Sequence, residues 1–306
     1  MKNFLAIEIG GSKLQIFTGD KAANILERRR FTVDATDGGA GIRRQIAAAL
    51  QEILPELKPA AIGVGFGGPV DGRTGQVCCS HQVAGWHNFA LGGWLHELTA
   101  LPVVVENDSN AAALAEAARG AGHGHNPIFY FNLGSGVGGG LVVDGKIYHG
   151  TKPGEAEFGH LRLTRDGVTV EDRCSGWAVD KKIRATLGAA PGGLLARLCG
   201  EAPGGESRQL AAALAQHDPA ADQILLELAE DLGFTLSHVV HLFHPEIIVL
   251  GGGLSLVGEP LREAVEQALG GFVMEAFAPG PRVVLAGLGE DAVPVGALLL
   301  AQGLQP

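Results

Sequence analysis

The sequence predicts an α/β protein made of two related halves, each built on a mainly parallel sheet. Apolar strands alternate with amphipathic helices along most of the 306 residues, which is the pattern of parallel sheets covered by helices. In addition, residues 5–17 and 128–143 both read as a strand, a glycine turn and a second strand, with turns that begin at Gly10 and Gly134. We interpret these two hairpins as the first elements of the two halves.

The elements of the first half follow from hydrophobic spacing. After the first hairpin, apolar residues recur at helical intervals over residues 41–57 and predict an amphipathic helix. Residues 60–66 and 101–105 are short apolar runs that predict strands. Polar residues then open a helix predicted over residues 110–119.

The second half continues the same alternation, and its elements place a binding site. After the second hairpin we predict helices over residues 176–187 and 221–243, a strand over 246–250, a helix over 259–269, a strand over 282–286 and a helix over 293–303. Residues 188–205, rich in Gly and Pro, predict a surface connection. Such folds bind ligands at the carboxyl ends of their strands, where the glycine turns lie. We therefore expect a cleft between two lobes.

Composition excludes several classes of protein. The net charge is −10 and the basic residues are scattered apart from Arg28 to Arg30, which argues against a nucleic-acid footprint. No apolar run approaches the roughly 20 residues of a membrane helix, and the N-terminus lacks a signal-peptide pattern. The four cysteines form no C-x-x-C motif. We expect a cytoplasmic protein that binds neither nucleic acid nor membranes.

The glycine turns indicate phosphate binding by backbone groups. Residues 134–139 match G-x-G-x-x-G, but a strand follows them where a dinucleotide site requires a helix. Without Cβ atoms, successive N–H groups of such a turn can still converge on one anion. Any one of these turns alone is better explained as a tight turn. Two matching hairpins and a third cluster at residues 251–253 instead favour a nucleoside triphosphate.

Asn107 and Asp108 stand where a strand ends and a helix begins. A helix cap is the simple explanation for a lone Asp at such a position. The alternative is chemical, because phosphoryl transfer needs a carboxylate to accept the proton of the attacking hydroxyl. Both interpretations are open on sequence alone.

Six segments in register resemble the ROK family of bacterial sugar kinases, in the actin/hexokinase superfamily. They are residues 8–13, 63–71, 106–116, 134–140, 154–160 and 249–255. The likeness runs from about residue 4 to the C-terminal helix. It implies a two-lobed actin-like, ribonuclease H-like ATPase fold with an interlobe cleft, and a homodimer. The expected small lobe comprises residues 1–112 and 291–306, and the larger lobe residues 113–290.

The resemblance also implies roles for matching residues. Asp108 is the expected catalytic base, and Glu8 is expected to place Mg²⁺, either directly or through water. The expected sugar-binding residues are Gly65, Gly68, Asn107, Asp108, Glu157, His160 and Glu171. The expected phosphate- and nucleotide-binding residues are Gly10, Gly11, Ser12, Lys13, Gly134, Ser135, Gly136, Gly251, Gly252 and Gly253.

The sequence departs from the family pattern at three points. Glu8 stands where most members have Asp, and Gln82 where an Asn is expected in the sugar loop. The cysteine-rich zinc motif that follows the histidine of the sugar motif is missing between His160 and Glu171. We therefore predict no structural zinc, and the shortened loop resembles that of members that use polyphosphate. Trp86 of the sugar loop could stack on a sugar or simply anchor the loop.

The implied activity is ATP- and Mg²⁺-dependent phosphorylation of a hexose or N-acetylhexosamine hydroxyl, as in glucokinases and fructokinases. One alternative is a polyphosphate-dependent sugar kinase. Another is a non-catalytic sugar-sensing member, although the first phosphate strand begins near Phe4 and leaves no room for the N-terminal helix-turn-helix of the repressors.

Overall fold

The structure is a computed structural model that describes residues 3–11, 13–80, 82–152, 154, 156–189, 192–200 and 204–305. The chain divides into two compact units. Unit 1 comprises residues 1–115, 146–155 and 290–306, and unit 2 comprises residues 116–145 and 156–289. The expected lobe boundaries, which keep residues 146–155 in the larger lobe, stay a prediction.

The described elements alternate between strands and helices. The first ten are β1 (Phe4–Ile9), β2 (Lys13–Gly19), β3 (Ile25–Thr32), α1 (Gly38–Leu57), β4 (Ile62–Phe66), β5 (Val70–Asp71), β6 (Gln76–Val77), α2 (Leu91–Thr99), β7 (Val103–Asn107) and α3 (Asp108–Arg119). The others are β8 (Ile128–Leu133), β9 (Val137–Val143), β10 (Lys146–Ile147), α4 (Val170–Cys174), α5 (Gly176–Ala189), α6 (Leu194–Cys199), α7 (Leu210–Leu214), α8 (Pro219–Phe243), β11 (Ile247–Gly251), α9 (Glu259–Phe272), β12 (Arg282–Leu285) and α10 (Ala292–Gly303).

The main sheet of unit 1 has the order β3-β2-β1-β4-β7. The hairpin strands β1, β2 and β3 are antiparallel, whereas β1, β4 and β7 are parallel. The register places Glu8, Gly65 and Glu106 side by side on the three parallel strands. Since parallel strands end at one edge, the residues that follow β1, β4 and β7 lie along that edge.

The core of unit 1 forms where the spacing of apolar residues predicted it. Ile42, Ile46, Leu50 and Ile53 of α1 are all buried. They belong to one apolar cluster with the side chains of β1, β2 and β4. This helical stripe confirms the helix predicted over residues 41–57, which begins three residues earlier in the structure.

The C-terminal helix α10 packs on β4 and α3 through glycines. A methyl group built on Gly63 of β4 would lie 1.8 Å from Ala297 O, and one on Gly296 of α10 would lie 1.9 Å from Ala111 O. Both distances are far below a van der Waals contact, so backbone rests directly on backbone at these two points. This packing positions α3, whose first residue is Asp108.

Unit 2 has a second sheet in which β9, β8, β11 and β12 lie in that order. The strands β8 and β9 form the second hairpin, and β8, β11 and β12 are parallel. The long helix α8 begins at Pro219, and the Asp218 side chain accepts hydrogen bonds from the Ala220 and Ala221 N–H groups at 3.0 Å. Asp before Pro is a favoured helix start.

Some elements differ from the sequence prediction. The helix predicted from residue 110 begins at Asp108, and α6 lies within residues 188–205, which were predicted to be a connection. Strand β3 was not predicted, because an edge strand with successive arginines lacks a clean apolar alternation. In the part of the chain that is described, no helix combines the length and apolar character needed to cross a membrane.

We predict that Gly63→Ala destabilises the protein. The new methyl group would overlap Ala297 O, and overpacking a tight site costs about 1–3 kcal/mol. Urea denaturation should show the free energy of unfolding falling by about 2 kcal/mol or more. The control is Gly271→Ala in α9, where a methyl group meets open space; there the free energy of unfolding should stay unchanged or rise by up to about 1 kcal/mol. Equal effects of the two changes would contradict the packing described here.

Candidate active site

The Gly10 turn, the Gly67 turn and Asp108 meet at the carboxyl edge of the unit 1 sheet. The Gly67 N–H donates to Ile9 O at 2.8 Å. A methyl group built on Gly67 would lie 3.4 Å from Asp108 Oδ2 and 3.6 Å from Gly10 Cα. Asp108 Oδ2 and Gly10 Cα are therefore at most 7.0 Å apart, the sum of these two distances. The structure thus places the predicted base next to the first predicted phosphate turn.

The side chain of Asn107 caps helix α3. Asn107 Oδ1 accepts hydrogen bonds from the Ser109 N–H at 2.9 Å and the Asn110 N–H at 3.1 Å. Its Nδ2 donates to Gly68 O at 3.2 Å. Accepting the N–H groups of the first turn is the function of an N-cap. Asp108 Oδ1 also accepts hydrogen bonds from the Ser109 N–H at 2.7 Å and from the Ser109 hydroxyl at 3.3 Å. The cap that the sequence offered as an explanation for Asp108 is therefore shared, with Asn107 accepting from two N–H groups and Asp108 from one.

Glu8 is held by residues of β2. Lys13 Nζ lies 2.9 Å from Glu8 Oε1, and Gln15 Nε2 donates to Glu8 Oε2 at 3.0 Å. Arg30 Nε donates in turn to Gln15 Oε1 at 2.9 Å, so the hydrogen-bonded chain reaches β3. Burial raises the pKa of the Glu8 carboxyl, and the charge of Lys13 acts in the opposite direction. The hairpin that carries the phosphate turn therefore fixes this carboxylate.

The phosphate turn of unit 1 is covered by a side chain from the sugar loop. A methyl group built on Gly11 would lie 1.7 Å from Gln82 Oε1. The predicted phosphate residue Ser12 lies outside the described residues. Gln82, the residue that replaces the expected asparagine, thus contacts the phosphate turn.

Gly65 and Gly68, two of the predicted sugar-binding residues, are tightly packed. Gly65 lies inside β4, and a methyl group there would lie 2.5 Å from Val293 Cγ1 and 3.8 Å from Asp108 Cα. A methyl group on Gly68 would lie 2.8 Å from Cys79 O. Neither position can hold a side chain, and Gly65 lies beside the predicted base.

Trp86 is a packed anchor. Only 1% of its surface is exposed, and its ring makes edge contacts with Phe66 and Phe89 at centroid distances of 5.2 and 5.6 Å. Of the two explanations that the sequence left open, the structure favours the loop anchor over stacking on a sugar.

Glu106 and His149 received no role from the sequence. Glu106 is buried directly before Asn107, and His149 Nε2 lies 2.6 Å from Glu106 Oε2. The two residues are 43 positions apart, so no local motif could pair them. A buried charge needs a partner, but no signal in the sequence identifies His149 as the partner of Glu106.

In unit 2, the turn of the second hairpin is closed by backbone hydrogen bonds. The Gly134 N–H donates to Gly136 O at 3.0 Å, and the Gly176 N–H donates to Gly134 O at 2.8 Å. Gly176 is the first residue of α5, so a helix N-terminus lies against the turn. Ser135, at the tip, is exposed. Backbone N–H groups and helix N-termini are suited to anions.

Glu171 contacts the same turn. Its Oε2 accepts a hydrogen bond from the Val137 N–H at 2.8 Å, and a methyl group built on Gly136 would lie 2.6 Å from that oxygen. A predicted sugar-binding residue and a predicted phosphate turn are thereby joined within unit 2.

Glu157 and His160 lie at the two ends of one short turn. The His160 N–H donates to Glu157 O at 3.0 Å, and both side chains are exposed. Between them, Phe158 is buried and packs edge-on against Phe129 at 5.6 Å. The buried ring anchors the turn and leaves the two polar side chains at the surface of the unit.

The third glycine cluster, residues 251–253, lies at the same edge as the Gly134 turn. It begins at the last residue of β11, which pairs with Asn132 of the parallel strand β8. Gly252 has a φ of +85°, and a methyl group there would lie 2.5 Å from the Leu133 carbonyl carbon. Only glycine tolerates both this φ and this contact.

Hydrogen bonds order the loop where the family's zinc motif is missing. The Val170 N–H donates to Leu161 O at 2.9 Å, and the Leu163 N–H to Val168 O at 2.8 Å. Thr169 and Asp172 then form a reciprocal capping box that starts α4. Among the residues that the structure describes, no three His, Cys, Asp or Glu side chains gather as a metal site. The absence of a structural zinc stays a prediction.

Comparison of the sequence with models of protein families identifies the family of this chain. The model of the ROK family matches residues 4–303, nearly the whole chain. The chain belongs to the ROK family. The resemblance drawn from the six sequence segments is thereby confirmed.

Known ROK proteins match this chain over nearly its full length. Glucokinase of Streptomyces coelicolor is 32% identical, over 99% of this chain and 98% of that protein. Glucokinase of Thermotoga maritima is 30% identical, over 96% and 95% of the two chains. The crystal structure of a ROK family glucokinase from Streptomyces griseus in complex with glucose and AMPPNP matches with a TM-score of 0.87 and 30% identity, over 98% of this chain and 99% of that one. The predicted α/β, actin-like fold class is confirmed.

We predict that Asn107 and Asp108 of this ROK protein contribute differently to stability. Asn107→Ala removes the acceptor of two N–H groups of α3, so the free energy of unfolding should fall by about 1–2 kcal/mol. Asp108→Asn keeps an oxygen acceptor and should cost less than about 1 kcal/mol. Urea denaturation of both variants provides the measurement. A larger loss for Asp108→Asn than for Asn107→Ala would make Asp108 the cap.

Proposed function

We propose that this ROK protein is an ATP-dependent sugar kinase and that glucose is its sugar. The curated relatives named above are glucokinases at 30–32% identity, and the matching crystal structure holds glucose and a nucleotide analogue. N-acetylhexosamines, mannose and fructose belong to the same class of acceptor and are the alternatives to test.

One observation carries the proposal: Asp108 Oδ2 lies 3.4 Å from the position that a methyl group would take on Gly67, and within 7.0 Å of Gly10 Cα. Asn107 Oδ1 and Asp108 Oδ1 accept the hydrogen bonds at the start of the helix, and Oδ2 is the Asp108 oxygen to which we assign the chemistry. A sugar hydroxyl bound at Gly67 would lie within hydrogen-bond distance of this carboxylate and beside the turn proposed to bind the terminal phosphate.

Asp108 acts as the general base in the proposed reaction. Its Oδ2 accepts the proton of the sugar hydroxyl while the hydroxyl oxygen bonds to the terminal phosphorus of ATP. The bond from that phosphorus to the ADP oxygen breaks, so the products are a sugar phosphate and ADP. Positioning and electrostatic stabilisation supply most of such catalysis, and here the Asn107 cap and the tightly packed glycines provide the positioning.

Glu8 fits a role in holding Mg²⁺ through water. Mg²⁺ usually retains several waters and takes one or two carboxylates together with phosphates, whose charge it neutralises. Both Glu8 oxygens are bonded, to Lys13 and to Gln15, so direct coordination would displace one of these bonds. A bridging water leaves the hairpin intact.

The remaining residues are assigned to binding. We assign the sugar hydroxyls to carboxylate, amide and imidazole groups, which accept and donate in fixed directions. The sugar-binding set is Gly65, Gly68, Asn107, Asp108, Glu157, His160 and Glu171. The nucleotide-binding set is Gly10, Gly11, Ser12, Lys13, Gly134, Ser135, Gly136, Gly251, Gly252 and Gly253.

We further propose that the protein acts in the cytoplasm as a homodimer. All four cysteines are free thiols, as in reducing compartments. The homodimer is supported by the family resemblance.

We predict that Asp108→Asn lowers turnover by at least roughly 100-fold, since loss of a general base typically costs 10²–10⁴-fold. Glucose affinity, measured by isothermal titration calorimetry, should stay within about 3-fold, because the amide still forms hydrogen bonds. The control is Asp222→Asn, on the exposed face of α8, which should leave turnover unchanged. Near-normal turnover of Asp108→Asn would remove Asp108 from the role of base.

We predict that ATP is the phosphate donor and glucose the best acceptor. Product formation should be measured with ATP, GTP and polyphosphate on glucose, and then with ATP on mannose, fructose and the N-acetylhexosamines. The expected result is the highest kcat/KM for ATP with glucose. Turnover with polyphosphate but not with ATP would make polyphosphate the donor, as in the members whose loop the shortened loop resembles. No turnover of any sugar would contradict the kinase assignment.

A further inference from the structure

The buried carboxylate of Glu106 holds the residues on both sides of Asp108. Only 3% of the Glu106 side chain is exposed. Its Oε1 accepts hydrogen bonds from the Asn107 N–H at 2.9 Å and from Asn110 Nδ2 at 3.1 Å. Asn107 precedes the proposed base and Asn110 follows it in the first turn of α3. The orientation of the Glu106 carboxylate therefore constrains the backbone that carries Asp108.

His149 binds the other oxygen of this carboxylate. The distance from His149 Nε2 to Glu106 Oε2 is 2.6 Å, and a carboxylate oxygen accepts hydrogen bonds, so Nε2 is the donor. Gly72 closes the space beside the pair, since a methyl group there would lie 3.2 Å from Glu106 Oε2 and 3.4 Å from His149 Nε2. The imidazole itself is 47% exposed. His149 thus contacts the buried Glu106 through Nε2, although nearly half of its side chain is exposed.

The neighbouring charges are paired elsewhere. Lys152 Nζ lies 2.5 Å from Asp71 Oδ2, and Arg73 Nε lies 3.8 Å from Asp71 Oδ1. Lys152 therefore tethers the segment that carries His149 to β5 at a second point, separate from His149. This second tether makes it possible to distinguish loss of the imidazole from detachment of the segment.

We propose that His149 is a positioning residue for phosphoryl transfer, acting on Asp108 through Glu106. This inference rests on the proposed function, in which Asp108 is the base. Without the Nε2 donor, the Glu106 carboxylate is free to turn toward solvent. The Asn107 N–H and the Asn110 amide then lose their acceptor, and Asp108 loses its fixed position. A displacement of about 1 Å at a reacting group can cost up to about 100-fold in rate.

The test uses the full-length enzyme with His149→Ala and His149→Gln, because the glutamine Nε2 can replace the imidazole donor. For His149→Ala we expect kcat to fall by about 10-fold while KM for ATP stays within about 2-fold. His149→Gln should restore kcat to within about 3-fold of the unmodified enzyme, and imidazole added to His149→Ala should raise kcat. Controls are His87→Ala, an exposed histidine whose Nε2 contacts Asn88, and Lys152→Ala; both should retain full kcat.

A second readout does not require turnover. Hydrogen exchange of the ligand-free enzyme should show faster exchange at the Asn107 amide in His149→Ala than in the unmodified protein or in His149→Gln. Unchanged kcat and exchange in His149→Ala, in an enzyme that phosphorylates glucose normally, would overturn the inference alone. Equal losses in Lys152→Ala and His149→Ala would also overturn it, because tethering of the segment would then explain the effect. If the unmodified enzyme phosphorylates no sugar, the proposed function fails instead, while the exchange data still test the contact.

Discussion

Close approach between backbone segments, which only glycine permits, is the constraint on which both units depend. In unit 1 the C-terminal helix rests on β4 at Gly63 and on α3 through Gly296. In unit 2 the N-terminus of α5 reaches Gly134 O, and a methyl group on Gly176 would lie 2.7 Å from that oxygen. A side chain at any of these points would force elements apart by more than a core can absorb without strain. Part of the high glycine content is therefore explained by packing alone.

Three consecutive polar residues at the junction of β7 and α3, namely Glu106, Asn107 and Asp108, have different partners. Successive side chains of a strand point to opposite faces, so Glu106 and Asn107 reach different partners. Glu106 accepts hydrogen bonds from the Asn107 N–H and from the Asn110 side chain. The Asn107 side chain caps the helix and donates to Gly68 O. Asp108, the first residue of the helix, then faces Gly67. Its Oδ1 accepts hydrogen bonds from the Ser109 N–H and hydroxyl, while its Oδ2 lies on the side of Gly67.

The sequence was informative where a single local pattern determined the structure. The stripe from Ile42 to Ile53 and the glycine turns of the two hairpins required only spacing and the absence of side chains, and the structure has both. The position of the glycine turns at the carboxyl ends of strands also followed from strand and helix alternation. The assignment of the cap could not be predicted, because Asn107 and Asp108 are both good cap residues and only the geometry of the junction separates them.

Long-range polar contacts could not be predicted from the sequence either, because their partners lie far apart along the chain. Glu106 and His149 are 43 residues apart, and His149 lies in a segment between two strong motifs with no pattern of its own. Likewise, nothing in the residues around Gln82 indicates that it packs on Gly11. Pairings of this kind depend on the tertiary fold, which brings together side chains that each have several possible partners.

The loop between His160 and Glu171, where the zinc motif of the family is missing from the sequence, is ordered by its own hydrogen bonds. A structural zinc contributes folding energy by fixing four ligands that the chain would otherwise leave loose. Here the loop closes on itself through backbone bonds from Val170 to Leu161 and from Leu163 to Val168, and the capping box begins α4 at once. Glu171 therefore follows an ordered turn, and its carboxylate is fixed again at the Val137 N–H. Local hydrogen bonds and the contact with Val137 together determine where Glu171 lies in unit 2.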